Sequence, residues 1–321
     1  MFGRRYTASA ARSRSTTRSG IPPTTFRGPA TYVFKRGVIY RGHLIGTESG
    51  TVHNPIRLTS DPAWGEGEAV ISGAETVNGP WRQLTVPAAR EAGFPHASRV
   101  RIWATDLGTD FVPRLLWQRA GDVRMRLPTA REPDWRIDDA YRPFTQWWRW
   151  KSAPKGYPTV QCAAPQVLND PDPQAYVGAT VWSDQPNTSG EFSIRGPTPA
   201  RITGCEPETG TVEFNILHPH RHPAPDSPFY MENLPRFLDR PGEWYFSEQG
   251  PDAGMLYIRL PQDRDPNTAQ IMAARHEVVL DLRNCAHVDV SGLTFTGGNS
   301  IDPDTFPDNE GYERQWPAFE M

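Results

Sequence analysis

Acids set close together are the first chemistry this chain offers. Asp302, Asp304, Asp308 and Glu310 crowd into "SIDPDTFPDNEG". A pair of carboxylates can hydrolyse a glycosidic bond by acid/base chemistry, about 5–5.5 Å apart for retention and roughly 6.5–9.5 Å apart for inversion. These four are the catalytic candidates. Turn composition also accounts for every acid in that stretch, because Asp, Asn, Pro and Gly are the ordinary residues of solvated turns.

Other side chains suggest binding. "WWRW" ends in Trp148 and Trp150. Alternate residues of a strand share a face, so the two could form a platform for sugar C–H surfaces; core of the protein is the competing reading. "HPHRHP" puts His218, His220 and His222 at alternate positions. A metal is conceivable there, but the interleaved prolines mark a surface loop and suggest no fourth ligand, so neither a metal nor a cofactor is expected. Arg131 in "TAREPDW" could pair with Glu132 or Asp134. Asp239 and Glu243 are tempting as a carboxylate pair. Their spacing follows from the turn at residues 240–243, where Pro presets φ and Gly supplies a positive one.

The elements that must position these groups are short strands. Proline at 33 and glycine at 27 accompany 11 Trp, 14 Phe and 10 Tyr in 321 residues. Many turns with many aromatics suggest an all-β protein, not a disordered one. Lys+Arg 34 against Asp+Glu 37 leaves a net charge of -3. That balance argues against nucleic acid or an anionic membrane as main partner. No apolar run approaches a membrane span. The three cysteines, Cys162, Cys205 and Cys285, contain no CxxC pair and read as buried small side chains.

Near the front, Ile56 and Leu58 alternate, and Ala69, Val70 and Ile71 follow a turn. Near the other end, Val278, Leu280 and Leu282 alternate before a strand at residues 287–290 and another from Leu293 through Phe295. The triplets Ile71-Ser72-Gly73 and Val290-Ser291-Gly292 echo each other 219 residues apart. Very short strands between sharp bends are what stacked coils of a parallel β-helix require; a plain meander has the same periodicity. Between the flanks lie longer candidate strands, including "RVRIWATDL", "RLLWQ", "YVGATVW" and "TGTVEFNIL". Residues 238–260 form a hairpin whose second strand alternates as a half-buried one does. The expected division is a disordered leader at 1–30, first coils at 31–79, an inserted antiparallel barrel or sandwich at 80–270, and returning coils at 271–321.

The order of "NPIRLTSDP", "GEAVISGAE", "LLWQRAGDVRMRLP", "GATVWSD", "YMENLPRFLDRPGEWYF" and "VVLDLRNCAHVDVSGLTFTGGN" resembles the N-terminal portion of bacterial right-handed parallel β-helix enzymes of the pectate-lyase-like fold. Within that group it is similar to glycoside hydrolases with an early β-barrel insert: β-helix α-galactosidases, β-xylosidases, and fucosidase or xylanase relatives. The resemblance implies a poly- or oligosaccharide partner and paired-carboxylate hydrolysis. It implies that the segment around Glu243 is barrel scaffold, and that further coils, carrying the main catalytic acids, follow Met321 in a longer protein. A polysaccharide lyase of the same fold, or a glycan-binding scaffold without catalysis, stays open. Secretion or a periplasmic location is implied too, although "MFGRRYTASAARSRSTTRSGIPP" has no apolar core of a signal peptide.

Overall fold

The computed structural model describes residues 5–7, 24–28, 30–98, 101–120, 123–135, 144–154, 156, 159–164, 172–183, 198–216 and 222–299. The chain is all-β. Among the described residues the α-helix is confined to Val86–Glu91, with short 3-10 turns elsewhere. That helix begins where Thr85 accepts a hydrogen bond from the Ala88 N–H at 3.4 Å and Pro87 presets the first turn. No described helix is long and apolar enough to cross a membrane.

Two kinds of sheet divide the molecule. At the two ends of the sequence the pairing is parallel. Three passes of the chain each contribute one strand to each of three sheets. The first pass gives Thr24–Phe26, Thr31–Phe34 and Ile39–Arg41; the second gives Leu44–Gly46, Ile56–Ser60 and Ala69–Ser72; the third gives Leu280–Asp281, Val288–Ser291 and Leu293–Thr296. The second pass lies between the other two in every sheet, parallel to both. Phe26, Phe34, Leu44, Ile56, Leu58, Ala69, Ile71 and Val279 fill the interior. Burying Ile56, Leu58 or Ile71 contributes about 1.5–3 kcal/mol each. Backbone ordering costs roughly 1–2 kcal/mol per residue, so strands this short hold only when neighbours cover them.

Two expectations shift here. Regular pairing starts before residue 31: Thr24–Phe26 pairs with Leu44–Gly46, and Arg5–Thr7 pairs with Thr31–Phe34, both inside the stretch expected as a disordered leader. The echoed triplets are not stacked equivalents either. Val290 pairs with Leu58 in one sheet, whereas Ile71 pairs with Phe295 in another. Gly292, at φ +65, turns the corner between those two sheets. Gly73 instead follows the strand Ala69–Ser72 and leads into Ala74–Thr76.

Between the second and third passes the strand pairs of the described residues are antiparallel, with one isolated parallel bridge between Thr129 and Trp244. Ala74–Thr76, leaving the second pass, pairs with Gln270–Ala274, which returns to the third. Gln270–Ala274 continues to Leu116–Ala120 and on to Val123–Leu127. A second sheet runs Glu243–Phe246, Met255–Arg259, Trp103–Asp106, Arg82–Gln83. A seven-stranded sheet is built around Pro228–Glu232, Thr180–Ser183, Thr198–Glu206 and Thr211–Asn215.

The hairpin expected at residues 238–260 forms, its strands paired with Trp244 opposite Ile258 and Phe246 opposite Leu256. Its second strand is not half-buried. Leu256 and Ile258 enter one core with Trp244 and Phe246, while Tyr257 enters a second core with Phe94, Phe214 and Phe229. The hairpin is a wall between two apolar interiors, which explains its aromatic density.

Candidate functional site

A cleft of about 560 Å3 opens where the parallel strands meet the antiparallel part. Its wall comes from three distant stretches. His43 and Ile45 flank the inward-facing Leu44. The loop before Leu116–Ala120 brings Asp110, Phe111 and Arg114. The returning chain brings Arg275, His276, Asp281 and Arg283.

Asn299 locks the seam. It is 4% exposed. Its Oδ1 accepts from the Arg114 backbone N–H at 2.9 Å and its Nδ2 donates to the Val112 carbonyl at 2.8 Å. Its own N–H donates to the His276 carbonyl at 2.8 Å. The Arg114 guanidinium donates to Glu248 at 2.6 Å, where Arg201 and Asn233 also donate, at 3.1 and 2.9 Å. Three chain segments therefore converge on one carboxylate.

Two histidines meet at the cleft, His43 Nδ1 lying 3.0 Å from His276 Nδ1. His276 Nε2 lies 3.7 Å from Glu75 Oε1. Assigning the His276 proton to Nε2, facing Glu75, leaves its Nδ1 to accept and makes His43 the donor. The His276 contact holds Glu75 below the usual carboxylate range, assisted by Arg275. Burial, then the electrostatic influence of the neighbouring His276 ring, lowers the pKa of His43. Arg275 reaches Asp110 and stacks 4.6 Å over the Phe111 ring. Arg283 donates to Asp281 at 2.6 Å and holds that carboxyl low. The cleft thus presents paired charges and hydroxyl-sized donors and acceptors. The acid that Arg283 engages stays ionised, which is the opposite of a proton donor.

A second concentration of acids lies in the antiparallel part. Ligand oxygens of Asp134, Asp239 and Glu243 all lie within 4.8 Å of one another. Glu243 is 0% exposed. Burial pushes its carboxyl up to about 9, with the neighbouring Asp134 and Asp239 adding to the effect. Burial also raises Asp239, and raises Glu132 to about 7. Arg240 pairs with Asp134, and the Arg131 guanidinium stacks 4.4 Å over Trp135. Asp239 and Glu243 are thus brought together as the turn dictates, and Asp134 joins them from 105 residues earlier in the sequence.

The tryptophan platform is turned inward. Trp148 and Trp150 do share a side, since both pack on Phe229. Trp150 is 1% exposed, its ring stacked 3.5 Å from that of Phe229 and its indole N–H donating to Ser183 at 2.9 Å. It is a core residue, and half-buried Trp148 packs against the same core. Asp302, Asp304, Asp308, Glu310, His218 and His220 lie outside the described residues. His222 accepts from the Gly156 N–H at 3.5 Å. The three cysteines form no disulfide with one another; Cys162 is buried, while Cys205 and Cys285 are only half-buried. The cleft escaped sequence reasoning because its residues carry no common motif. The one usable sign was "ARHE", a charged run at the end of an apolar strand.

No protein-family model and no curated protein matches the chain. Among solved structures the chain is similar to one described as "Glycoside hydrolase", with a TM-score of 0.55 over 87% of this chain at 18% identity. The match spans 43% of that protein's length. At this identity the likeness is one of fold.

Proposed function

We propose that the chain is the front of a carbohydrate-active protein of the glycoside hydrolase kind. The parallel passes near the two ends of the sequence are coils of a right-handed parallel β-helix, and the antiparallel part between them is a barrel-like guest. The cleft at their seam binds a poly- or oligosaccharide. One observation carries this reading: three separated passes of chain stack in register in three parallel sheets, and the cleft opens where the guest leaves that stack. Paired arginines, carboxylates and histidines around Phe111 match the hydroxyl-rich, partly apolar surface of a sugar. The solved structure described as a glycoside hydrolase supports the same assignment through its fold.

Hydrolysis needs a carboxylic acid held protonated beside an ionised partner. Asp302, three residues beyond Asn299, begins the acidic stretch that we assign to this chemistry together with Asp304, Asp308 and Glu310. Further acids from coils following Met321 belong to the same proposal, as does export to the periplasm or the medium. A second reading has its own support: the cleft acids Asp110 and Asp281 are each engaged by arginine, which suits hydroxyl binding better than proton donation. On that reading the cleft holds glycan without cutting it.

The test is to incubate the chain with neutral and acidic oligosaccharides, measuring heat of binding, reducing-end release and ultraviolet absorbance of unsaturated products. Binding with reducing-end release supports the hydrolase; binding alone supports the scaffold. An unsaturated product identifies a lyase. No binding across the panel overturns the carbohydrate assignment.

A further inference from the structure

We infer that Asp134, Asp239 and Glu243 bind a hard divalent cation, calcium, at a site in the antiparallel part distinct from the cleft. Three features of the chain converge there. The strand Glu243–Phe246 opens with Glu243 completely enclosed, directly after Gly242 turns the backbone at φ +97. The same turn sets Asp239 four residues back, just beyond the 3-10 turn Pro235–Phe237. Asp134 arrives two residues after the strand Arg131–Glu132.

The oxygens themselves point to a ligand. Among the described residues no N–H or O–H donates to either oxygen of Glu243, to Asp134 Oδ1 or to Asp239 Oδ1, and all four atoms are buried. A fully enclosed carboxylate without a donor is a state that proteins avoid unless a cation or a proton completes it. Calcium holds oxygens at about 2.3–2.6 Å, so its ligands stand at most roughly 5 Å apart. The 4.8 Å spread of the three carboxylates fits inside one such sphere. All the donors are oxygen, with no histidine or thiol in the group, which selects calcium or magnesium over zinc. Glu243 can chelate through both oxygens.

Charges around the site leave the cation a role. Glu132, Asp134, Asp239 and Glu243 face Arg131, Arg236, Arg240 and His96. Arg240 is spent on Asp134 Oδ2 and Arg131 stacks on Trp135. Neither donates to Glu243. The rival occupant is a single proton on Glu243, shared with Asp134.

Calcium and proton are separable by experiment. The chelated chain is titrated with calcium chloride by calorimetry, and with terbium chloride, whose luminescence tryptophan such as Trp135 beside Asp134 sensitises. Thermal unfolding is followed with and without calcium. The expected result is saturable binding of both ions, a raised unfolding midpoint in calcium, and loss of more than about tenfold in calcium affinity in Glu243→Gln and in Asp239→Asn. If Glu243→Gln does not fold, the wild-type titration and Asp239→Asn still decide. No calcium heat, no terbium signal and an unchanged midpoint would overturn the site and leave the proton as the occupant.

Discussion

Replacing Asn299 by alanine probes the joint that shapes the cleft. Its side chain makes two hydrogen bonds to the loop carrying Arg114, at 2.9 and 2.8 Å, from a position that is 4% exposed. A net hydrogen bond contributes about 0.5–1.5 kcal/mol, and a buried partner left unsatisfied costs about 1–3 kcal/mol. The Arg114 N–H and the Val112 carbonyl are only partly buried, so water recovers some of that loss. We expect Asn299→Ala to lower stability by about 2–3 kcal/mol, read from urea unfolding at constant m-value. Asn299→Asp keeps the acceptor and loses the donor, so about half the loss is expected, plus repulsion from the Val112 carbonyl. Hydrogen exchange supplies the local readout: the Arg114 amide should lose protection selectively in Asn299→Ala. A change below about 0.5 kcal/mol, with the Arg114 amide still protected, would refute the claim that Asn299 ties the loop to the returning chain.

Two further outcomes follow from local geometry. A Cβ on Gly46 would lie 2.2 Å from Cys285 Sγ and 3.0 Å from the Phe26 ring. Gly46→Ala should therefore cost about 1–3 kcal/mol, and adding Cys285→Ala should recover part of it; strict additivity in the double-mutant cycle would contradict the contact. Acid should remove two contributions in turn. His43 is held below its ordinary value, so its contribution is complete above about pH 6.5 and declines as the pH falls below it, while Glu75 and Asp281, also held low, lose theirs below about pH 4.5; the raised carboxyls of Glu132 and Glu243 act in the opposite direction in wild type and variant alike. The groups facing His43 are His276 and Asp281, with Glu75 and Arg275 behind His276. Unfolding midpoints measured against pH should decline less between about pH 7 and 5.5 in His43→Gln; identical slopes would remove His43 from the account.

Much of the strand content was legible because it is locally encoded. Ile56 with Leu58, the run Ala69–Ser72, and Leu293 with Phe295 announce themselves by alternation and by the turns beside them. The Pro241-Gly242 turn likewise announced where the first strand of the hairpin begins, and the polar, Gly-broken residues 247–254 announced the loop that joins it to the second. Register between distant passes was not legible. The likeness of Ile71-Ser72-Gly73 to Val290-Ser291-Gly292 suggested one alignment, while packing pairs Leu58 with Val290 and Ile71 with Phe295. Aromatic spacing did place Trp148 and Trp150 on one side, but spacing alone does not say whether that side meets water or Phe229. The cleft and the Asp134–Asp239–Glu243 cluster depend on contacts across more than a hundred residues, and no short window contains them.

The seam cleft as a sugar site is the claim on which the functional reading rests, and a plug tests it most directly. Ile45 lines the cleft from a strand whose neighbour Leu44 fills the interior, so Ile45→Trp occupies the opening and leaves the core intact. Calorimetric titration of the wild-type chain with the oligosaccharide panel should find a ligand that Ile45→Trp, with an unchanged circular dichroism spectrum, no longer binds. A sugar bound with equal affinity by both proteins would contradict it.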